Sequence, residues 1–446
     1  MPRGRFLALA ALLAAGCASV PVAPSAPSRP RLVVFLAVDG MPQRQLVDYR
    51  EQLAPDGLAR FLDRGAWFAD AHYGHALTYT APGHAVMLTG AYPHRTGIIS
   101  NQWRDVGSGA RVYCTADTAH QYIGHATKPM DGTSPKNLEV ETVGDVLRRL
   151  DPASKVVGIS IKDRGAILPA GHKGTAYIYQ QSTGRFASST YYMAAHPRWV
   201  EAFNAGNPAN RYFKAEWKPL LPEAAYARSL PDNQRWYAKG GALPKRIGEG
   251  DKPDASFYAQ LIGTPFSDRL TLDFARAAVA GEALGADDTP DILAVSLSGH
   301  DYVNHAYGAE SRLSHDHTLQ LDRALQDFFG YLDERVGRAN YVAVLTADHG
   351  FMPAPEYARS LGHPAGRQNG GQLLALLNRA LASKYGQGEW VRGFSAGGIL
   401  LDRATIIVAN ADLDAVAEDL RLLLLDQPSI AAAYTRAQLE SGSAAG

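Results

Sequence analysis

Four short apolar runs, separated by longer stretches with helical periodicity, constrain the fold of this chain most strongly. The runs are LVVFLAV at 32–38, KVVGISI at 155–161, DILAVSL at 291–297 and YVAVLT at 341–346. A continuous apolar run of this length is typical of a strand that is buried on both faces. The alternation of such strands with helical stretches favours parallel pairing. We therefore predict an α/β fold with a mostly parallel central sheet and helices on both faces.

Periodicity and composition divide the rest of the chain. The predicted helices cover 48–64, 137–150, 269–280 and 311–336. Residues 166–267 are instead rich in Tyr, Trp, Pro and Gly, and they show little clean periodicity. We predict that 166–267 form a large insertion over the active site, within one catalytic domain that spans 32–446.

The N-terminus resembles a bacterial lipoprotein signal. Basic residues precede an apolar run at 6–15 that is too short to span a bilayer, and the run leads to Cys17. We predict a lipoprotein-type signal peptide at 1–17, lipidation of Cys17, and a Pro-, Ser- and Ala-rich tether at 18–31. An ordinary cleaved signal peptide or a weak membrane anchor is the alternative. The predicted location is periplasmic, and the lipid anchor in the outer membrane is the only expected contact with a membrane.

Charge and cysteine content argue against a nucleic-acid partner and against an internal disulfide. The 446 residues include 44 Lys and Arg and 44 Asp and Glu, so the net charge is zero. No basic tract indicates a nucleic-acid partner, and we expect none. After Cys17 the only cysteine is Cys114, which cannot form an internal disulfide and is interpreted as a packing residue.

Polar side chains follow each of the four predicted strands. Asp39, Lys162, Asp301 and Asp348 come just after the apolar runs. In open α/β sheets, ligands bind in the crevice at the carboxyl ends of the strands. One Asp in such a place means little, because Asp is common in loops. Four strand ends with charged residues together indicate a functional site.

Two pairs of residues at these strand ends could bind a metal ion. Asp301 and His305 are four apart, so one helical turn would bring both side chains to the same ion. Asp348 and His349 are adjacent and suit a loop. Carboxylate oxygen and imidazole nitrogen are good zinc ligands. Taken alone, the first pair could equally be a capped helix with a solvated His, and the second could be a turn.

The pair Lys162 and Arg164 suits a different partner. In an extended chain, residues two apart point to the same side. An ammonium and a guanidinium side by side can bind the non-bridging oxygens of a phosphate. The alternative for this pair alone is a solvated strand end.

The segment Thr80-Ala81-Pro82-Gly83-His84 supplies a candidate nucleophile. Pro82 suits the first turn of a helix, so Thr80 is expected just before a helix N-terminus, where free N–H groups attract a phosphate. A hydroxyl there can attack phosphorus if a metal ion assists the loss of its proton. The alternative is that Thr80 is only a helix cap. His84 is interpreted as a supporting residue rather than a metal ligand.

These motifs together resemble the alkaline phosphatase superfamily, in the branch of the type I phosphodiesterases and nucleotide pyrophosphatases. The motifs that carry this resemblance are Asp39-Gly40, Thr80 to His84, Asp301-x-x-x-His305 and Asp348-His349-Gly350. Asn101 and the segment Lys162-Asp163-Arg164 are more specifically similar to phosphate-irrepressible alkaline phosphatases with a Thr nucleophile.

The resemblance implies two zinc ions and a phospho-threonine intermediate. The residues implied to hold one zinc are Asp39, Thr80, Asp348 and His349. Those implied to hold the other are Asp301 and His305. Thr80 is the implied nucleophile. The implied ligands of the transferring phosphoryl group are Asn101, Lys162 and Arg164.

The chain departs from the family near its C-terminus. The family's second zinc also uses a His in a Thr-His-Gly-like segment, and the only His here after His349 is His363. The segment around His363 matches a different part of the family. We therefore expect that the C-terminal end of the domain is missing after Gly446, and that the second zinc site lacks a third protein ligand. Asn304, where the family usually has Gly, is a smaller departure.

The resulting hypothesis is zinc-dependent hydrolysis of phosphate monoesters, with small-molecule phosphate esters as substrates. One alternative is a phosphodiesterase or nucleotide pyrophosphatase on the same scaffold. Lys162 and Arg164 argue against this alternative. They suit the non-bridging oxygens of a phosphate, and in a diester the second substituent occupies one of these oxygens. The other alternative is a truncated, inactive protein that binds phosphate or a metal. The oligomeric state is left open.

Overall fold

The computed structural model describes residues 29–105 and 108–442. The predicted signal peptide 1–17, its Cys17 and most of the tether 18–31 lie outside the described residues.

A six-stranded sheet forms the centre of the fold. In chain order the strands of the protein are β1 (Leu32–Val38), β2 (Gln102–Arg104), β3 (Arg111–Tyr113), β4 (Val156–Ser160), β5 (Thr175–Gln180), β6 (Arg185–Ala187), β7 (Glu216–Trp217), β8 (Lys245–Arg246), β9 (Asp291–Leu297), β10 (Tyr341–Thr346), β11 (Val391–Ser395) and β12 (Gly398–Leu401). The central sheet has the spatial order β10-β1-β9-β4-β5-β6. Neighbouring strands pair in parallel, except that β6 runs antiparallel to β5. The predicted α/β fold with a mostly parallel sheet is confirmed.

Helices surround this sheet. They are α1 (Gln43–Asp48), α2 (Ala59–Arg64), α3 (Thr80–Thr89), α4 (Pro93–Thr96), α5 (Val143–Leu150), α6 (Asp163–Ala170), α7 (Arg198–Ala205), α8 (Ala255–Leu261), α9 (Pro265–Gly281), α10 (Gly299–Tyr307), α11 (Arg312–Leu332), α12 (Pro355–Ser360), α13 (Gly370–Tyr385), α14 (Arg403–Val408), α15 (Leu413–Leu425) and α16 (Arg436–Ser441). A π turn, Asp333–Gly337, extends α11. Among the described residues, none of the helices combines the length and the hydropathy that crossing a membrane requires.

The predicted helix at 48–64 is interrupted by a turn. Pro55 and Gly57 lie in this turn, where the N–H of Gly57 bonds to the carbonyl of Ala54 at 3.0 Å. A residue far away in the sequence holds the turn in place. The buried carboxylate of Asp322 accepts hydrogen bonds from the backbone N–H groups of Ala54 (2.7 Å) and Leu58 (2.6 Å). These bonds hold the chain between α1, which ends at Asp48, and α2, which begins after Leu58.

The predicted helix at 137–150 is shorter than expected. It begins at Val143, because Thr142 and Asp145 form a capping box that satisfies the first N–H groups. A capping box sets the start of a helix more sharply than apolar periodicity does.

The predicted insertion at 166–267 begins too early. Its first part contains most of α6 and both β5 and β6, which belong to the central sheet. Tyr177 and Tyr179 in β5 are buried, so the aromatic composition there marks a packed strand rather than an insertion. Later residues pack on the helices: Trp217 Nε1 donates to Asp316 in α11 at 2.5 Å.

Residues 370–425 form a C-terminal lobe with its own small core. The buried apolar side chains of this core are Leu373, Leu377, Leu381, Trp390, Val391, Ile406, Val416 and Leu420. The lobe touches the rest of the protein where Ser395 Oγ accepts from the Arg104 backbone N–H at 3.1 Å. The single predicted domain therefore contains a second core that sequence periodicity did not separate.

Strand β10 is the edge of the sheet on the side of β1. Among the described residues it pairs with β1 alone. Its side chains Val342 and Val344 remain 44% and 38% exposed. The apolar run at 341–346 is therefore a strand, as predicted, but it is not buried on both faces.

Candidate active site

The carboxyl ends of four adjacent strands converge on one buried cluster of charge. Asp348 follows β10, Asp39 follows β1, Asp301 lies in α10 after β9, and Lys162 follows β4. These strands are neighbours in the order β10-β1-β9-β4, and all four side chains are buried. Parallel pairing therefore brings together residues that are separated by up to 309 positions in the sequence (348 minus 39).

Two overlapping sets of possible metal ligands lie in this cluster. The first donor group is Asp39, Asp301 and His349, and the second donor group is Asp39, His84 and Asp348. Within each group the donor atoms lie within 4.8 Å of one another. The resemblance had implied separate ions for Asp39 and Asp301, whereas the structure places these two carboxylates in one group.

Lys162 accounts for the approach of the two carboxylates. Its Nζ forms an ion pair with Asp39 Oδ2 at 2.8 Å and a second ion pair with Asp301. Burial alone would lower the pKa of Lys162, but the two carboxylates raise it above its usual value, so the ammonium stays charged. The residue predicted to bind phosphoryl oxygens therefore also bridges the proposed metal ligands.

The carboxylates of Asp39 and Asp348 have opposite titration behaviour. Burial, together with the charge of Asp348, raises the pKa of Asp39 to about 6. Burial would also raise the pKa of Asp348, but the facing His84, 3.2 Å away, lowers it below its usual value. The Oδ1 atom of Asp348 also accepts from the backbone N–H groups of Gly40 and His349, both at 3.0 Å. Asp348 is therefore the more stable anion of the two.

Thr80 lies at the first residue of α3 and faces the first donor group. The helix begins at Thr80 itself, whereas the sequence had predicted a start just after it. Thr80 is buried, and its Oγ1 lies 3.5 Å from Nε2 of His349. The structure thus places the candidate nucleophile beside a candidate metal ligand.

Residues 81–83, in the first turn of α3, offer no free N–H group to a phosphate, contrary to the expectation from the sequence. The N–H of Ala81 donates to Asn101 Oδ1 at 2.8 Å, Pro82 has no N–H, and the N–H of Gly83 bonds to the carbonyl of Tyr79. Asn101, predicted to bind substrate, therefore fixes the first turn of the helix that carries the candidate nucleophile. Its role toward substrate stays a prediction.

Gly83 allows α3 to pack directly against the loop of Asp348. A Cβ atom at this position would lie 2.3 Å from the carbonyl oxygen of Asp348. His84, one residue further, is hydrogen-bonded to the Thr80 carbonyl and to Ser296 Oγ, both at 2.8 Å. Both ring nitrogens of His84 therefore already have partners within the protein, although its position places it in the second donor group. Its interpretation as a supporting residue stays a prediction.

Arg164 is held beside the cluster by aromatic and acidic partners. Strand β4 ends before Lys162 and Arg164 lies in the first turn of α6, so the premise of an extended segment was wrong. The guanidinium donates to the hydroxyl of Tyr113 at 3.1 Å, and that hydroxyl donates to Asp163 at 2.6 Å. Burial would lower the pKa of Arg164, but Tyr113 and Asp163 raise it. Arg164 thus remains a fixed positive charge.

The two remaining histidine predictions differ in position. His305 Nε2 lies 3.4 Å from Asp301 Oδ1, although its side chain is 68% exposed. It lies at the mouth of the cluster, with its ring edge-on to Phe351. His363 is exposed in the turn after α12 and belongs to neither donor group.

The unpaired oxygens in the cluster fit a cation. Asp39 Oδ1 and Asp301 Oδ1 are buried, and no hydrogen-bond donor among the described residues reaches either atom. Leaving buried carboxylate oxygens unpaired is costly unless a cation binds there. Carboxylate oxygen and imidazole nitrogen in one group are a suitable donor set for zinc.

The chain is similar to known proteins over most of its length. Residues 33–440 match the family model described as type I phosphodiesterase / nucleotide pyrophosphatase. Alkaline phosphatase PhoV of Synechococcus elongatus is 38% identical over 370 residues, which cover 81% of this chain and 65% of that protein. Alkaline phosphatase PafA of Elizabethkingia meningoseptica is 36% identical over 409 residues, which cover 90% of this chain and 74% of that protein.

The fold is also similar to that of a solved structure. The crystal structure of wild-type alkaline phosphatase PafA is 34% identical and superposes with a TM-score of 0.86. The superposition covers 93% of this chain and 80% of that one. The chain therefore belongs to the type I phosphodiesterase / nucleotide pyrophosphatase family, and its relatives in this family include alkaline phosphatases.

Proposed function

We propose that the protein hydrolyses phosphate monoesters in a zinc-dependent reaction with Thr80 as the nucleophile. The observation that carries this proposal is the position of the Thr80 hydroxyl beside the first donor group, with Lys162 and Arg164 as nearby cations. The names of the relatives, alkaline phosphatases, support the same substrate class.

The proposed cofactor is two zinc ions. The residues that would hold one ion are Asp39, Thr80, Asp348 and His349, and those that would hold the other are Asp301 and His305. Their overlap in the first donor group is compatible with two adjacent ions that share this cluster. Zinc at such a site supplies a Lewis acid that favours ionisation of a hydroxyl and offsets negative charge on phosphoryl oxygens.

The protein's own residues account for the two chemical steps. Thr80 Oγ1 attacks phosphorus, the bond to the leaving oxygen breaks, and the alcohol departs with a proton, leaving a phosphorylated Thr80. Water then attacks the same phosphorus, and Thr80 regains its hydroxyl proton as inorganic phosphate leaves. His84 and Asn101 hold the start of α3, so the hydroxyl keeps its direction through both steps.

Lys162 and Arg164 would bind the oxygens of the transferring group. The Lys162 ammonium has three N–H donors, and its two carboxylate partners occupy two of them, which leaves one for a phosphoryl oxygen. The Arg164 guanidinium adds a fixed positive charge. A monoester dianion has enough charged oxygens to contact both cations. A diester has one charged oxygen fewer, because its second substituent occupies that position, and this difference favours monoester hydrolysis.

The test compares hydrolysis of p-nitrophenyl phosphate and bis(p-nitrophenyl) phosphate by the purified chain. We expect faster turnover of the monoester, loss of that turnover after chelation, and recovery on addition of zinc. Faster turnover of the bis-ester would instead assign a phosphodiesterase. Turnover that survives complete metal removal would contradict the cofactor, and no turnover of either ester by zinc-loaded protein would indicate a binding protein.

A further inference from the structure

A buried side-chain amide ties together the two segments that carry Asp39 and Asp301. Asn304 lies in α10, three residues after Asp301, and its Nδ2 donates to the backbone carbonyl of Gly40 at 3.1 Å. Gly40 directly follows Asp39. The bond therefore joins the loop after β1 to the helix that follows β9, at the point where the first donor group forms.

The orientation of the Asn304 amide is fixed from the other side. The Ser314 hydroxyl, in α11, donates to Asn304 Oδ1 at 2.6 Å. Gln45 Nε2, in α1, donates to Ser314 Oγ at 2.8 Å. Because Oδ1 faces a hydroxyl donor, Nδ2 must face the Gly40 carbonyl.

The network of buried polar contacts continues from Gln45 through two histidines to the start of α10. Gln45 Oε1 is hydrogen-bonded to His300 Nε2 at 2.8 Å, and His300 Nδ1 lies 3.2 Å from His317 Nδ1. His317 Nε2 lies 3.2 Å from Asp268, which accepts from the N–H of Gly299 at 3.0 Å. Both ends of the network therefore act on α10, and the network joins this helix to α1, α9 and α11.

The two segments are also in close contact where the bond forms. Gly40 has a φ of +67°, and a Cβ atom there would lie 2.8 Å from Asp301 Oδ1. Two buried carboxylates so close to each other repel, and one ammonium, Lys162, offsets only part of that repulsion. A neutral hydrogen bond that holds the backbones together keeps the spacing without adding charge.

We propose that Asn304 is a positioning residue that fixes the spacing of Asp39 and Asp301 for metal binding. This role rests on the proposed zinc-dependent function. The side-chain amide of Asn304 bonds to Gly40 and Ser314, and not to a residue of either donor group. It acts through the Gly40 carbonyl on one ligand, and through its own helix on the other.

The test measures zinc affinity and folding stability separately in Asn304→Ala. We expect zinc affinity, from competition with a chelator, to fall about tenfold, as is usual for residues that orient metal ligands. The matched control is Asn204→Ala. Asn204 is also buried, and its amide bonds to both the N–H and the carbonyl of Phe186 in β6, on the far side of the sheet. This control should lose stability but keep wild-type zinc affinity.

A second variant guards against failure of Asn304→Ala to fold. Ser314→Ala removes the donor that orients the amide, and we expect a smaller loss of zinc affinity in the same direction. Wild-type zinc affinity in folded Asn304→Ala, or in Ser314→Ala if only that variant folds, would overturn the positioning role while leaving the proposed function intact. Absence of zinc binding by the wild-type protein would overturn both.

Discussion

Buried carboxylates at the two ends of the central sheet differ in how their oxygens are satisfied. Asp291 begins β9, at the amino end of the strand, and its two oxygens accept from the N–H groups of Lys155 (2.7 Å) and Gly285 (2.9 Å). Asp39 follows β1 at the carboxyl end, and its Oδ1 has no hydrogen-bond donor among the described residues. Both side chains are buried.

The difference shows that burial of a carboxylate does not by itself mark a functional site. Asp322 belongs with Asp291, because backbone N–H groups satisfy both of its oxygens and it holds the chain between α1 and α2. Asp39 and Asp301 retain unsatisfied oxygens that can accept a cation or a substrate group. At the amino end of the sheet Asp291 thus contributes to stability, whereas at the carboxyl end Asp39 and Asp301 keep oxygens that a ligand could bind.

The largest effect is expected for Thr80, and it tests whether phosphate ester hydrolysis takes place at the carboxyl end of the sheet. Thr80→Ala should lower kcat for p-nitrophenyl phosphate by roughly ten-thousandfold or more, because it removes the attacking oxygen. Thermal unfolding should stay close to wild type. Thr89→Ala, at the other end of α3, is the control and should retain activity. Near wild-type turnover in Thr80→Ala would remove the central claim.

The two cationic side chains at the carboxyl end of the sheet should contribute more to the hydrolysis of monoesters than to that of diesters. Lys162→Ala with Arg164→Ala should lower monoester hydrolysis by about one to two decades for each residue, since a charge-assisted contact contributes roughly 1.5–3 kcal/mol. Hydrolysis of the bis-ester should fall much less. The measurement is kcat/KM for both esters. Equal losses would defeat the assignment to monoesters.

A matched pair of Asp→Asn variants compares the two ends directly. Asp39→Asn should weaken zinc binding by about a hundredfold, because it removes a charged ligand. Asp291→Asn should leave zinc affinity unchanged but lower stability by about 1–3 kcal/mol, because an amide group would face a backbone N–H. Chelator competition and urea unfolding measure the two effects. A loss of zinc affinity in Asp291→Asn would contradict the difference between the carboxylates at the amino and carboxyl ends of the sheet.

The smallest expected effect concerns pH. The folded-state pKa of Asp39, about 6, lies above the ordinary value of 3.8, so the folded protein binds this proton more tightly. The resulting stability is fully present below pH 3.8 and is lost as pH rises through 6. In the metal-free state, the stability of Asp39→Asn relative to wild type should increase by about 1–2 kcal/mol between pH 4.5 and pH 7.5. Urea unfolding at both pH values measures it, and a constant difference would contradict it.

The sequence predicted the elements of the site because its signals are local. A continuous apolar run followed by a charged residue places Asp39, Lys162 and Asp348 at strand ends, and this information lies within a few residues. The start of α3 at Thr80 was similarly close to the prediction, because Pro82 restricts the chain there.

The grouping of these residues could not be predicted, because it depends on strand order. That Asp39 and Asp301 share one donor group follows from the pairing of β1 with β9, which links residues more than 250 positions apart. The Asn304–Gly40 bond likewise has no local signal, since a buried amide can bond to any carbonyl that packing brings near.

The open edge of the sheet at β10 has a consequence for solubility. Within residues 29–105 and 108–442, no strand pairs with the outer edge of β10, so its backbone groups and the exposed side chains of Val342 and Val344 are open to a second molecule. The net charge is zero and the isoelectric point is near 7.3, so molecules at neutral pH have little electrostatic repulsion to keep them apart. We therefore expect any association through this edge to be strongest close to pH 7. Handling the protein well above its isoelectric point gives every molecule a common negative charge and keeps the edges separate.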